Sequence, residues 1–272
     1  MLYETLEKRL LPRELKDAFN RARKPLGSLG YDRWGYHSPT SHMAAALARP
    51  FYEKYFRVEA FGRENIPAQG RVLIVPNHSG YLPMDGALLG YSMLTNPFGP
   101  RVPRAMIERF FPDLPYLGNF VNAIGAVVGE PVNCLDMLKQ EEAVIIFPEG
   151  VRGTGKGFGK RYQLQRFGCG FMQIAIDTNT PIIPVGVVGC EEALPMLGNL
   201  KGLAQRLGLP YVAVAPPLPL PVKITLHFGE PLYFSGPIQC EDDLEHKVEV
   251  VRHKIRQLIQ QGLDQRGQGK TP

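Results

Sequence analysis

His78 and Asp85 are the residues best placed by type and spacing to do chemistry. They sit in Val72-Leu73-Ile74-Val75-Pro76-Asn77-His78-Ser79-Gly80-Tyr81-Leu82-Pro83-Met84-Asp85-Gly86. A neutral imidazole can take a proton near pH 7. A carboxylate on its other ring nitrogen fixes the tautomer and stabilises the imidazolium that forms. Glu149, Gly150 and Arg152 make a second polar group, in Ala143-Val144-Ile145-Ile146-Phe147-Pro148-Glu149-Gly150-Val151-Arg152-Gly153. The fork of an Arg suits a phosphate, and Gly150 allows close backbone approach.

Both groups follow short apolar runs that read as buried strands. The first run feeds a helix that starts near Leu82, with Asp85 in its first turn. In α/β folds ligands collect at the carboxyl edge of the sheet. Further strands are expected at residues 58–62, 102–107, 124–128 and 181–188, with Val222 to Phe228 as an edge strand. Helices are expected at 40–57, 82–94, 131–141, 167–177, 191–207 (broken near Pro195) and 241–263. This alternation implies α/β architecture: a central, mostly parallel sheet wrapped by helices. Residues 1–57 read as an amino-terminal helical arm, either packed alongside or lying at a membrane interface, 58–264 as the main domain and 265–272 as a frayed tail.

The order Asn-His…Asp, then Phe-Pro-Glu-Gly-x-Arg, resembles the glycerolipid O-acyltransferase family, which includes the 1-acylglycerol-3-phosphate acyltransferases. The resemblance runs from about Tyr31 to Phe234 and includes Leu114-Pro115-Tyr116-Leu117-Gly118 and Pro181-Ile182-Ile183-Pro184-Val185. It implies a glycerol-3-phosphate acyltransferase-like fold. It also implies transfer of a fatty acyl group from acyl-CoA or acyl carrier protein to a lipid hydroxyl, with lysophosphatidate as first acceptor. His78 would be the base and Asp85 its orienter, while Glu149, Gly150 and Arg152 would hold the acceptor. The family spaces His and Asp by four residues, whereas Ser79 to Met84 makes six here, so the reach of Asp85 to His78 is left to the fold. The family Arg expected between Asn119 and Asn133 is absent. Arg104 and Arg109 are candidate substitutes, and a neutral glyceride or long-chain alcohol is the alternative acceptor. A silent lipid- or carrier-binding module is the alternative of another class.

Gly150 to Gly157 nearly spells a phosphate-binding loop, but Gly157 stands where a magnesium-binding hydroxyl belongs. Lys156, with Lys160, Arg161 and Arg166, reads instead as a basic rim for phosphate or an anionic donor, with solvated surface as the plain alternative. No His-Glu-x-x-His and no paired cysteines point to a metal, and no cofactor is expected beyond the acyl donor as co-substrate.

The 272 residues carry a net charge of +5 and a pI near 9.0. That balance suits an anionic membrane surface or phosphorylated substrate, and no nucleic-acid motif accompanies it. The aromatic cluster Phe51, Tyr52, Tyr55, Phe56 suits either a lipid interface or the core. No stretch reaches the ~18–20 apolar residues of a membrane span. Four scattered cysteines suggest a reducing compartment, so a cytoplasmic, peripherally membrane-associated protein is expected.

Overall fold

The structure, a computed structural model, describes residues 11–22, 25–80, 82–112, 116–207, 211–236 and 240–268. The first ten residues of the expected arm lie outside the described residues. The arm continues with α1 (Arg13–Arg21) and α2 (Ser38–Pro50), which runs into a π-helical turn at Phe51–Tyr55. The chain then alternates: β1 (Glu59–Phe61), β2 (Val72–Pro76), α3 (Met84–Leu94), β3 (Arg104–Ile107), α4 (Leu117–Ala123), β4 (Ala126–Val128), α5 (Pro131–Lys139) and β5 (Ala143–Ile145). After the site loop, which holds the single turn α6 (Val151–Thr154), come α7 (Gly170–Asp177), β6 (Ile182–Val188) and the short α8 (Cys190–Ala193). A hairpin of β7 (Gly198–Asn199) and β8 (Ala213–Val214) flanks α9 (Lys201–Leu207), and β9 (Thr225–Phe228) and α10 (Glu241–Gln268) close the chain.

Seven strands form one sheet in the order β1-β9-β6-β2-β5-β3-β4. All pairs are parallel except β6 with β9. The central strands are apolar on both faces because helices cover both. Along β2, Val72 and Ile74 join one core while Leu73 and Val75 join the other. The helical arm packs on the first face: α1 lies against α2 and α3, and Leu15, Phe19, Tyr52 and Phe56 share a core with Ile74. Helix α10 covers β6 and β9 on the second face.

Three expectations change. The segment expected to be largely helical over 191–207 holds only α8 and α9, with strand β7 between them. Val222 to Phe228 reads as an edge strand from its polar alternation, but β9 is internal, with β1 outside it. Its polar positions face a covered side instead of water: His227 Nε2 lies 3.1 Å from Thr225 Oγ1, and burial lowers the His227 pKa. Gly262 of α10 makes room, since a Cβ there would stand 2.7 Å from His227 Nε2. The tail expected to fray from residue 265 is helical to Gln268, held in part by Arg266 on Glu192 at 2.7 Å. Residues 269–272 lie outside the described residues.

The aromatic cluster also divides. Tyr52 and Phe56 are buried in the core and only Phe51 is exposed, while the half-buried Tyr55 donates its Oη–H to Pro219 O at 2.6 Å.

Candidate active site

Strands β2 and β5 are parallel neighbours, with Val72 opposite Ala143 and Ile74 opposite Ile145. The same register carried past the strand ends sets His78 beside Glu149, 71 residues away, and the His78 backbone N–H donates to Glu149 Oε1 at 2.8 Å. Asn77 holds the exit of β2 from the other side. Its Oδ1 accepts from Val187 N at 2.7 Å and its Nδ2 donates to Val187 O at 3.1 Å, continuing the β2–β6 ladder through a side chain.

The widened His–Asp gap closes on itself. Gly80 adopts φ +83, and a Cβ there would stand 3.1 Å from Leu194 Cβ, so the turn uses a glycine both for its backbone and for its space. Asp85 enters the first turn of α3 and is fully buried. Its Oδ2 lies 2.7 Å from His78 Nδ1 and also accepts from Ser79 N at 2.8 Å. Its Oδ1 accepts from Gly86 N at 2.8 Å. A carboxylate serving these donors is an acceptor, so His78 carries its proton on Nδ1 and the lone pair on Nε2. The ring stacks on Phe147 at 4.1 Å between centroids, and its side chain keeps 13% exposure. Nε2 has no partner among the described residues.

Glu149 is 1% exposed. Its second oxygen accepts from Gln165 N at 2.7 Å. Both oxygens are therefore taken by backbone donors, one from each of the two site loops. After it, Gly150 turns with φ +54 and α6 begins. A Cβ at Gly153 would stand 2.7 Å from His78 Cβ and 2.8 Å from Glu149 Cβ, so the single turn of α6 packs directly on both. Arg152 on that turn is exposed and forms no ion pair with a described residue. Gly150, Arg152, Glu149, His78 and Asp85 thus lie at one edge of the sheet.

Two sequence candidates are engaged in buried ion pairs. Arg104 is 1% exposed, ion-paired with Asp32, and its guanidinium lies over Trp34 and Tyr36 at 5.1 and 5.3 Å. It joins the connector before α2 to the sheet, and a buried, paired guanidinium is not offered to a substrate. The Lys156 side chain is 4% exposed rather than part of a rim, with Nζ 2.6 Å from Glu191 Oε1 and 3.9 Å from Glu149 Oε2. Glu191 and Glu192 read from sequence as ordinary helix-start carboxylates. In the fold α8 is one turn long, Glu191 is the buried counter-ion of Lys156, and Glu192 accepts from Tyr162 Oη at 2.8 Å. Burial raises the Glu191 pKa, against the lowering pull of Lys156. Removing one partner of a buried pair leaves an uncompensated charge, which costs about 3–5 kcal/mol. Lys156→Met should therefore lower the melting temperature strongly, while the double change Lys156→Met with Glu191→Leu should recover much of it; equal melting of both variants would contradict the pairing.

Phe147, Gln165 and Tyr211 escape sequence reasoning. Phe147 is one residue of a strand run, Gln165 contributes only its backbone, and Tyr211 reaches the site across the hairpin, hydrogen-bonded to Thr154. Phe147 opens the Phe-Pro-Glu-Gly-x-Arg motif, but no local pattern shows that its ring stacks on His78, and none marks Gln165 or Tyr211.

The class that this sheet and its edge define is that of the acyltransferases. The chain belongs to the Acyltransferase family, whose model matches residues 57–188. An uncharacterized protein of Mycobacterium tuberculosis is 36% identical over 251 residues, 87% of this chain and 69% of its own length. The chicken "DGAT1/2-independent enzyme synthesizing storage lipids" is 31% identical over 189 residues, 68% of this chain and 54% of its own. The fold is similar to that of the 1-acyl-sn-glycerophosphate (LPA) acyltransferase PlsC from Thermotoga maritima, with a TM-score of 0.54 over 94% of each chain at 18% identity.

Proposed function

We propose that this acyltransferase moves a fatty acyl group from a thioester, acyl-CoA or acyl carrier protein, to a lipid hydroxyl at a membrane surface. The observation that carries the reading is the His78–Asp85 contact of 2.7 Å with Nε2 unclaimed by any described residue. The acceptor hydroxyl gives its proton to His78 Nε2 as its oxygen attacks the thioester carbonyl. Asp85 holds Nδ1–H and stabilises the imidazolium. The tetrahedral intermediate collapses by breaking the C–S bond and expels the thiolate, which takes the proton from His78 and leaves as the thiol. No acyl-enzyme is needed, because the alcohol attacks the donor directly.

Lysophosphatidate is the first acceptor in this reading, with Arg152 as its phosphate contact. A neutral acceptor is the second. It is favoured by the loss of Arg104 to Asp32 and by the pairing of Arg109 with Glu130 at 2.6 Å. The name of the chicken relative, an enzyme of storage lipids, points the same way. Labelled oleoyl-CoA offered with lysophosphatidate, monoacylglycerol and a long-chain alcohol tests the function. Arg152→Ala separates the readings: charge-assisted contacts contribute about 1.5–3 kcal/mol, so KM for lysophosphatidate should rise roughly 10–150-fold, whereas an unchanged KM for whichever acceptor works would assign a neutral one. Absence of transfer to every acceptor, from either donor, would remove the proposal.

A further inference from the structure

The hairpin beside the site carries leucines that the fold does not bury. Leu197 is 68% and Leu218 73% exposed, and Leu200, Leu203 and Val214 are exposed too. They form one surface. Leu197 N donates to Val214 O and Leu200 N to Val212 O, each at 2.9 Å, so these residues are rungs of the same hairpin. Leu203 lies one helical turn beyond Leu200. Leu220 N donates to Ala193 O at 2.7 Å, which returns the chain around Leu218 to the foot of the hairpin.

This surface borders the mouth of the site. Phe158 N donates to Met196 O at 2.9 Å, and a Cβ at Gly155 would stand 3.4 Å from Tyr211 Cδ1. The hairpin and the site loop contribute cations and no carboxylates of their own, with the exposed Glu108 beside Gly150 as an acidic neighbour. No Asp or Glu occurs from Ala193 to Gly229, nor from Gly150 to Ile176. Arg152, Lys160, Arg161 and Arg206 are exposed there and form no ion pair with a described residue.

Exposed apolar side chains rimmed by exposed cations match a bilayer with anionic headgroups, which takes the leucines below the headgroup level and the cations at it. We propose that this hairpin surface, and not the aromatic cluster of the arm, seats the enzyme on an anionic membrane with the His78 edge turned toward the lipid. The inference rests on the proposed function in one respect: a lipid acceptor reaches the site without crossing water. An acidic carrier protein would also meet the cations, but the breadth of bare leucine favours lipid.

The test is flotation of the full chain with phosphatidylcholine vesicles, with and without phosphatidylglycerol, at low and high salt. The wild type should float with the anionic vesicles, less so at high salt. Leu197→Asp with Leu218→Asp should reduce the floated fraction more than tenfold and lower transfer to vesicle-borne acceptor, with transfer to acceptor in detergent micelles unchanged. Since both positions are exposed, the fold should survive; Leu197→Ser with Leu218→Ser is the milder pair if it does not. Leu218→Trp should also shift its emission to the blue on adding anionic vesicles. Flotation of the double variant equal to wild type, or a wild type that never floats, would overturn the proposal. So would retained flotation with lost binding to acyl carrier protein, which would make the surface a carrier dock. Absence of transfer in micelles by the wild type would count against the chemistry and leave the flotation result standing by itself.

Discussion

His78→Ala should lower kcat by roughly 10²–10⁴-fold, the usual contribution of a positioned general base, with little change in melting temperature. The side chain is partly exposed at 13%, and the contacts that hold its loop come from its backbone N–H on Glu149 and from Ser79 N on Asp85. Both survive removal of the ring. The lost imidazole leaves the acceptor hydroxyl with no base, since Asp85 is fully buried behind it and saturated by backbone donors. Steady-state transfer from labelled acyl-CoA, beside a thermal melt, measures both quantities. Undiminished turnover in a folded variant would remove His78 from the chemistry.

The second large effect is expected at Glu149, and it decides between two roles for that residue. Family resemblance makes it an acceptor contact; its surroundings make it an anchor. Glu149→Ala leaves His78 N and Gln165 N without their acceptor. Each unsatisfied buried donor costs about 1–3 kcal/mol. At about 2–4 °C per kcal/mol for a chain of this size, the melting temperature should fall on the order of 10 °C. Turnover should fall with it, because the His78 loop and the Arg152 loop lose the group they share. Lys156, 3.9 Å away, would keep Glu191 as its partner. A variant that melts like the wild type and shows only a raised KM for the acceptor would restore the contact role.

How far the site is legible from sequence follows from how local each signal is. Val72 to Val75 and Ala143 to Ile145 are apolar without interruption, so two buried strands are readable, and so are the polar residues at their ends. The approach of Asp85 to His78 is not, because the widened gap depends on a left-handed Gly80 packed under Leu194. Arg104 looks available in a one-dimensional string, next to apolar residues, and is consumed by Asp32, 72 residues earlier in the chain. Lys156 sits among glycines and cations that suggest solvent, yet the fold drops it between two carboxylates. In β9 the alternation of polar and apolar residues is real, but it reports two different buried faces, a helix-covered one and a core one.

By itself the sequence determined the α/β alternation, the two chemical groups at strand ends and the membership in an acyltransferase family, because these depend on residue type and short-range spacing. Tertiary structure alone decided that Asp85 reaches His78, that Glu149 ties two loops together, and that Arg104 and Lys156 are ion-paired inside the protein. The physical reason is the same in each case. Strand order and register bring together charges that lie far apart in the chain, and a buried charge takes the partner that geometry supplies.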